Sequence, residues 1–97
     1  MIKITPAQLE TVKKILASHV PQAKVLAFGS RVAGTPKDYS DLDIAVMAGS
    51  ELELAALAEL REAFAESDLP FRVDVLDWHS ISPEFKKIIE AAHEIVR

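Results

Sequence analysis

The stretch Asp41-Leu42-Asp43-Ile44-Ala45-Val46 constrains the fold more than any other part of this chain. Side chains alternate across a strand, so Leu42, Ile44 and Val46 share one face while Asp41, Asp43 and Ala45 share the other. Such a strand buries its aliphatic side under helices and turns carboxylates away from them. Residues 72–77 repeat the pattern: Val73 and Val75 point inward and Asp74 outward. If the two strands are neighbours, Asp41, Asp43 and Asp74 gather on one uncovered patch. Asp77 falls on the face opposite Asp74, which suits a turn or cap rather than that patch.

The remaining segments supply the cover. Thr5-Pro6-Ala7-Gln8 opens a helix, with Thr5 as cap, Pro6 in the first turn and Gln8 completing a capping box. Leu9, Val12, Ile15 and Leu16 then recur at helical spacing to about Ser18, and Pro21 closes the segment. A short β-type run, Lys24 to Phe28, ends at Gly29. Ser50 with Glu53 predicts a second capping box and a helix to about Ser67, burying Leu54, Leu57, Leu60, Ala63 and Phe64. Ser82-Pro83-Glu84 starts a last helix, with Phe85, Ile88, Ile89, Ala92 and Ile95 facing inward. These segments predict an α/β (α+β) fold: a small mixed three-stranded sheet with helices on one face, in a single domain over 1–97.

Three clustered carboxylates are costly. At an effective dielectric near 20, two unit charges about 4 Å apart repel by roughly 4 kcal/mol. A cation between them, or a proton on one of them, removes that cost. Carboxylate oxygens suit Mg²⁺, which commonly shares its shell with substrate phosphates. Two such ions could clamp the attacking and leaving oxygens of an in-line phosphoryl displacement. Gly29-Ser30 supplies a matching element, because glycine lets a phosphate approach the backbone and a strand-to-helix turn presents free N–H groups. Ser30 adds a hydroxyl and Arg31 a charged fork suited to phosphate oxygens. Residues 31–40 then have the length to bring Asp41 back beside the turn.

Gly29-Ser30-Arg31, the ten residues from Arg31 to Ser40, and then Asp41-Leu42-Asp43-Ile44 resemble the signature of the DNA polymerase β-type nucleotidyltransferase superfamily. Val73-Asp74-Val75 is similar to its third carboxylate strand, and the short length resembles its minimal, antitoxin-type members encoded beside HEPN-domain proteins. The resemblance implies two Mg²⁺ ions held by Asp41, Asp43 and Asp74. Asp74 would assist deprotonation of the attacking hydroxyl, and Gly29, Ser30 and Arg31 would bind the triphosphate of an NTP, ATP above all. It implies transfer of a nucleoside monophosphate to a hydroxyl, a tyrosine of a HEPN-type helical partner from a neighbouring gene, in a toxin–antitoxin pair. Where the family stretch commonly reads Gly-Ser-Arg-Ala-Arg-Gly, this chain carries Val32-Ala33 and lacks the second arginine.

Composition narrows the alternatives. The net charge of −4 argues against direct nucleic-acid binding, which needs a basic surface. No cysteine is present, so neither a disulfide framework nor a thiolate metal site is expected. The N-terminal segment lacks a secretory pattern and no stretch is long enough to span a membrane, so a cytoplasmic location is the expectation. His19, His79 and His93 are too scattered for a ligand pair and read as surface or interface residues. With one helix after the third carboxylate strand, no acceptor-binding domain is expected, leaving the open face to a partner, as a homodimer or a heterotetramer. Two other readings stay open: a non-catalytic module that masks its partner by contact, and a small-molecule, aminoglycoside-type nucleotidyltransferase.

Overall fold

The computed structural model describes residues 2–97; Met1, part of the expected 1–97 unit, lies outside the described residues. Helix α1 (Pro6–His19) begins with the reciprocal capping box its sequence predicts. Thr5 Oγ1 accepts from the Gln8 amide at 3.1 Å, and Gln8 Oε1 accepts from the Thr5 amide at 2.9 Å. Strand β1 (Lys24–Phe28), a single helical turn α2 (Ser30–Ala33) and strand β2 (Leu42–Met47) follow. Helix α3 (Leu54–Ala65) leads to strand β3 (Val73–Asp77), a 3₁₀ turn (Trp78–Ser80), helix α4 (Pro83–Ala91) and strand β4 (Glu94–Ile95).

The sheet order is β3-β2-β1-β4. β1 runs antiparallel to β2 and to β4, while β2 and β3 are parallel, so the sheet is mixed as expected. It has four strands rather than three. The additional strand is two residues long, below the length at which alternation can be read; it pairs Ile95 with Leu26 and Glu94 with Ala27. Ile95, expected inward on the last helix, is therefore exposed, and its neighbour Val96 is buried instead.

The helices also divide between the two faces. Val12 and Leu16 of α1 and Leu60 and Phe64 of α3 pack on Val25, Ala27, Leu42, Ile44, Val46 and Val75. Helix α4 lies on the opposite face, where Ile89 and Phe85 meet Leu26, Phe28, Ala45 and Leu76. The expectation that all helices cover one face is thus corrected, and the reason is in β1: Val25-Leu26-Ala27-Phe28 is buried on both sides. A continuous apolar run needs cover above and below. On α4 itself, Ile88 is 65% exposed, so the inward stripe is narrower than predicted.

Helix α3 starts at Leu54, three residues later than the Ser50–Glu53 box predicts, and no side-chain cap bond forms there. The Leu52 amide instead donates to Asp77 Oδ2 at 2.8 Å, which holds residues 51–53 outside the helix. Leu54, expected in the buried stripe, is 85% exposed. Asp77 performs the cap role expected of it, accepting also from the His79 amide at 3.0 Å. Among the described residues, no helix is long and apolar enough to cross a membrane.

Candidate active site

The second face of the sheet is shared between two tenants. Its centre is apolar and covered by α4. Where β1 ends and β2 and β3 begin, it is acidic and bare. The register explains the division: Leu26 pairs with Ala45 and Ala45 with Leu76, whereas one step along the face Phe28 pairs with Asp43 and Asp43 with Asp74. Parallel pairing of β2 with β3 places Asp43 and Asp74 directly opposite one another, so their side chains leave the same face.

The Asp43 carboxyl titrates above its ordinary 3.8, first because it is partly buried, then because the charges of Asp74 and Asp41 lie near it. The three carboxylates are therefore electrostatically in contact, as the alternation predicts. They are not yet a closed cage. Among the described residues, no three His, Cys, Asp or Glu side chains are drawn together tightly enough to hold an ion. Asp41 is the loose member: it precedes β2, is exposed, and contributes least to the rise at Asp43.

Gly29 brings the turn to the same place. Its φ of 78° and ψ of −156° lie in a region open essentially to glycine alone. A Cβ there would collide with Asp43 Oδ2 and come within 3.2 Å of Asp43 Cγ. The bare backbone at 29 is thus what admits the Asp43 carboxylate. α2 begins at the next residue, and its first amides have no carbonyl partner within the helix. Ser30 is exposed at this opening. Gly34 ends the turn, where a Cβ would sit 2.9 Å from Ser30 Cα.

Arg31 departs from expectation. Its side chain is 6% exposed and points away from the opening, into the junction of three segments. Nε donates to the Ser40 carbonyl at 2.8 Å, Nη1 to Lys3 at 2.9 Å, and Nη2 to Asp38 at 3.0 Å and Lys37 at 3.3 Å. The guanidinium also stacks on Phe71, 4.3 Å from the ring centre. A phosphate contact by the guanidinium would require breaking these bonds. The sequence carried no local sign of this: Lys3 and Phe71 are remote along the chain, and the carbonyls it meets are main-chain atoms.

Two grooves lie near the site. A groove of about 900 Å³ runs between residues 2–5 and 36–39 and touches none of the three carboxylates. A smaller one of about 400 Å³ follows the β3 edge and reaches Asp74. The acidic face is open.

This geometry has close parallels. The family described as polymerase beta nucleotidyltransferase matches residues 10–97. The chain belongs to the polymerase β-type nucleotidyltransferases. A probable protein adenylyltransferase MntA of Haemophilus influenzae is 46% identical to this nucleotidyltransferase over 96 residues, covering 99% of this chain and 84% of that protein. A crystal structure of a toxin–antitoxin with AMP-PNP superposes with a TM-score of 0.79 at 30% identity, over 92% of this chain and 72% of its own. A tri-AMPylated Shewanella oneidensis HEPN toxin in complex with MNT antitoxin superposes with a TM-score of 0.73 at 28% identity, over 94% of this nucleotidyltransferase and 70% of the matched chain.

Proposed function

We propose that this chain is a protein adenylyltransferase that moves AMP from ATP onto a hydroxyl of a HEPN-type toxin and acts as the antitoxin of that pair. The observation that carries this reading is the register of Asp43 against Asp74 beside the side-chain-free turn at Gly29. Similarity to the MntA adenylyltransferase, to an antitoxin complex with an ATP analogue and to one with an AMPylated toxin supports the substrate and the acceptor. A partner encoded by a neighbouring gene, a tyrosine of that partner as acceptor and a cytoplasmic setting complete the proposal.

The donor set fits Mg²⁺. Carboxylate oxygens are its preferred protein ligands, and the Asp43 titration is raised first by burial and then by the charges of Asp74 and Asp41, which a bound cation would offset. Asp41, Asp43 and Asp74 would hold two ions, which when bound supply charge neutralisation of the triphosphate. The chain's own residues do the rest. The turn at Gly29 and Ser30 receives phosphate oxygens on amides and hydroxyl. Asp74 accepts the proton of the acceptor hydroxyl as its oxygen bonds to the α-phosphorus. The bond from that phosphorus to the bridging oxygen breaks, and pyrophosphate leaves with the electron pair. Because the acidic face is open, the acceptor arrives on another protein's surface.

A masking role without transfer has one observation in its favour: Arg31 is committed elsewhere and Val32-Ala33 supplies no second arginine, so the phosphate cradle is short of cations. One experiment separates the readings. The chain is incubated with labelled ATP, Mg²⁺ and the neighbouring gene product, alongside an aminoglycoside control. AMP on the partner with wild type but not with Asp43→Ala supports transfer. A tight complex without label favours masking, and label on the small molecule favours the aminoglycoside-type activity.

A further inference from the structure

We propose that Arg31 is the positioning residue that delivers Asp41 to the acidic face, an inference that rests on the adenylyltransferase reading for its catalytic meaning. Asp41 lies outside β2 and is exposed, so no ladder bond of the strand holds it. What precedes it is a loop without regular structure, closed on itself by the Ser40 amide on the Lys37 carbonyl at 3.0 Å and the Lys37 amide on Ser40 Oγ at 2.8 Å. Arg31 seizes that closed loop at the carbonyls of Lys37, Asp38 and Ser40, the last being the residue immediately before Asp41.

The other side of the clamp is equally fixed. Arg31 and Lys3 exchange main-chain and side-chain bonds, the Lys3 amide donating to the Arg31 carbonyl at 2.7 Å while Nη1 donates to the Lys3 carbonyl. Lys3 Nζ continues the tie to the Gly34 carbonyl. Phe71, the ring beneath the guanidinium, precedes Arg72, whose carbonyl accepts from the Leu42 amide at 2.9 Å where the two carboxylate strands begin. One buried cation therefore joins the phosphate turn, the N-terminal segment, the Asp41 loop and the start of β3. Lysine cannot replace it, since a single ammonium on a flexible stem cannot span these carbonyls or lie flat on the ring.

The test compares wild type, Arg31→Lys and Ser40→Ala, the last removing the side-chain half of the loop's own closure while leaving Arg31 in place. In Arg31→Lys, amide exchange at 37–41 accelerates by about 10-fold or more while β1 and β2 amides stay protected. The Mg²⁺ concentration for half-maximal AMP transfer rises about 10-fold, as for residues that orient metal ligands. KM for ATP at saturating Mg²⁺ stays within about twofold. Ser40→Ala moves the same quantities in the same direction by less, and carries the test if Arg31→Lys does not fold. A large rise in KM for ATP with an unchanged loop would make Arg31 a nucleotide ligand and overturn the proposal, as would a uniform loss of protection with unchanged Mg²⁺ dependence. If wild type transfers no AMP, the adenylyltransferase reading fails by itself. Exchange at 37–41 and the Mg²⁺-induced thermal shift then still decide the role of Arg31.

Discussion

At Gly29 two requirements meet, a backbone conformation closed to other residues and a space that the Asp43 carboxylate fills. Gly29→Ala should therefore cost about 1–3 kcal/mol in urea unfolding from backbone strain alone, and should displace Asp43 and abolish transfer. Asp43 itself is a site where function and stability oppose each other. Its folded-state titration is raised by burial and then by Asp74 and Asp41, so the folded protein holds a proton there that the unfolded chain has released. Stability contributed at this position is present at low pH and is lost as pH climbs from 3.8 through the raised value. Asp43→Asn should raise the thermal midpoint at pH 7, with the gain shrinking as pH falls towards 4, about the range where the unfolded carboxyl also protonates. Scanning calorimetry at several pH values checks this. Added Mg²⁺ should stabilise wild type at pH 7 and leave Asp43→Asn unmoved.

Among the elements, the strands were the most legible because their two faces differ in chemistry: β2 alternates aliphatic and acidic residues through Asp43, and β3 does so around Asp74. The helix starts at Thr5 and Ser82 were legible through their caps, both of which form. The Ser50–Glu53 signal failed because a tertiary bond outcompeted a local one. Asp77, fixed at the end of β3, takes the Leu52 amide, and the helix begins only at Leu54. The side occupied by α4 is not legible from the acids, because their own face also carries Leu26, Phe28, Ala45 and Leu76, which need cover. Of the site, the carboxylates and the glycine turn could be read from spacing, whereas the destination of Arg31 depended on residues distant in the chain. Asp77 tests the same logic. Asp77→Ala would strand the Leu52 and His79 amides, with an expected loss of about 1–3 kcal/mol in chemical denaturation, together with faster amide exchange at the start of α3.

For the whole molecule, the sheet order leaves β3 and β4 as edges. β4 is blunted by its brevity. β3 is longer, and its Val75 carbonyl is occupied by Arg61 Nη2 from α3 at 2.9 Å. Unpaired edges invite pairing with other chains, so Arg61→Ala should increase self-association, measured by light scattering across a concentration series, without altering the acidic face.

The grip of Arg31 on its loop has a consequence for how this surface can change. Every oxygen it holds belongs to the main chain, and beyond Ser40, whose hydroxyl closes the loop, its grip is indifferent to the side chains carried at 37–39. Lys37, Asp38 and the 80% exposed Tyr39 project from a frame that does not consult them. New side chains could be tried at 37–39 to recognise a different protein, while the acids next door keep their alignment.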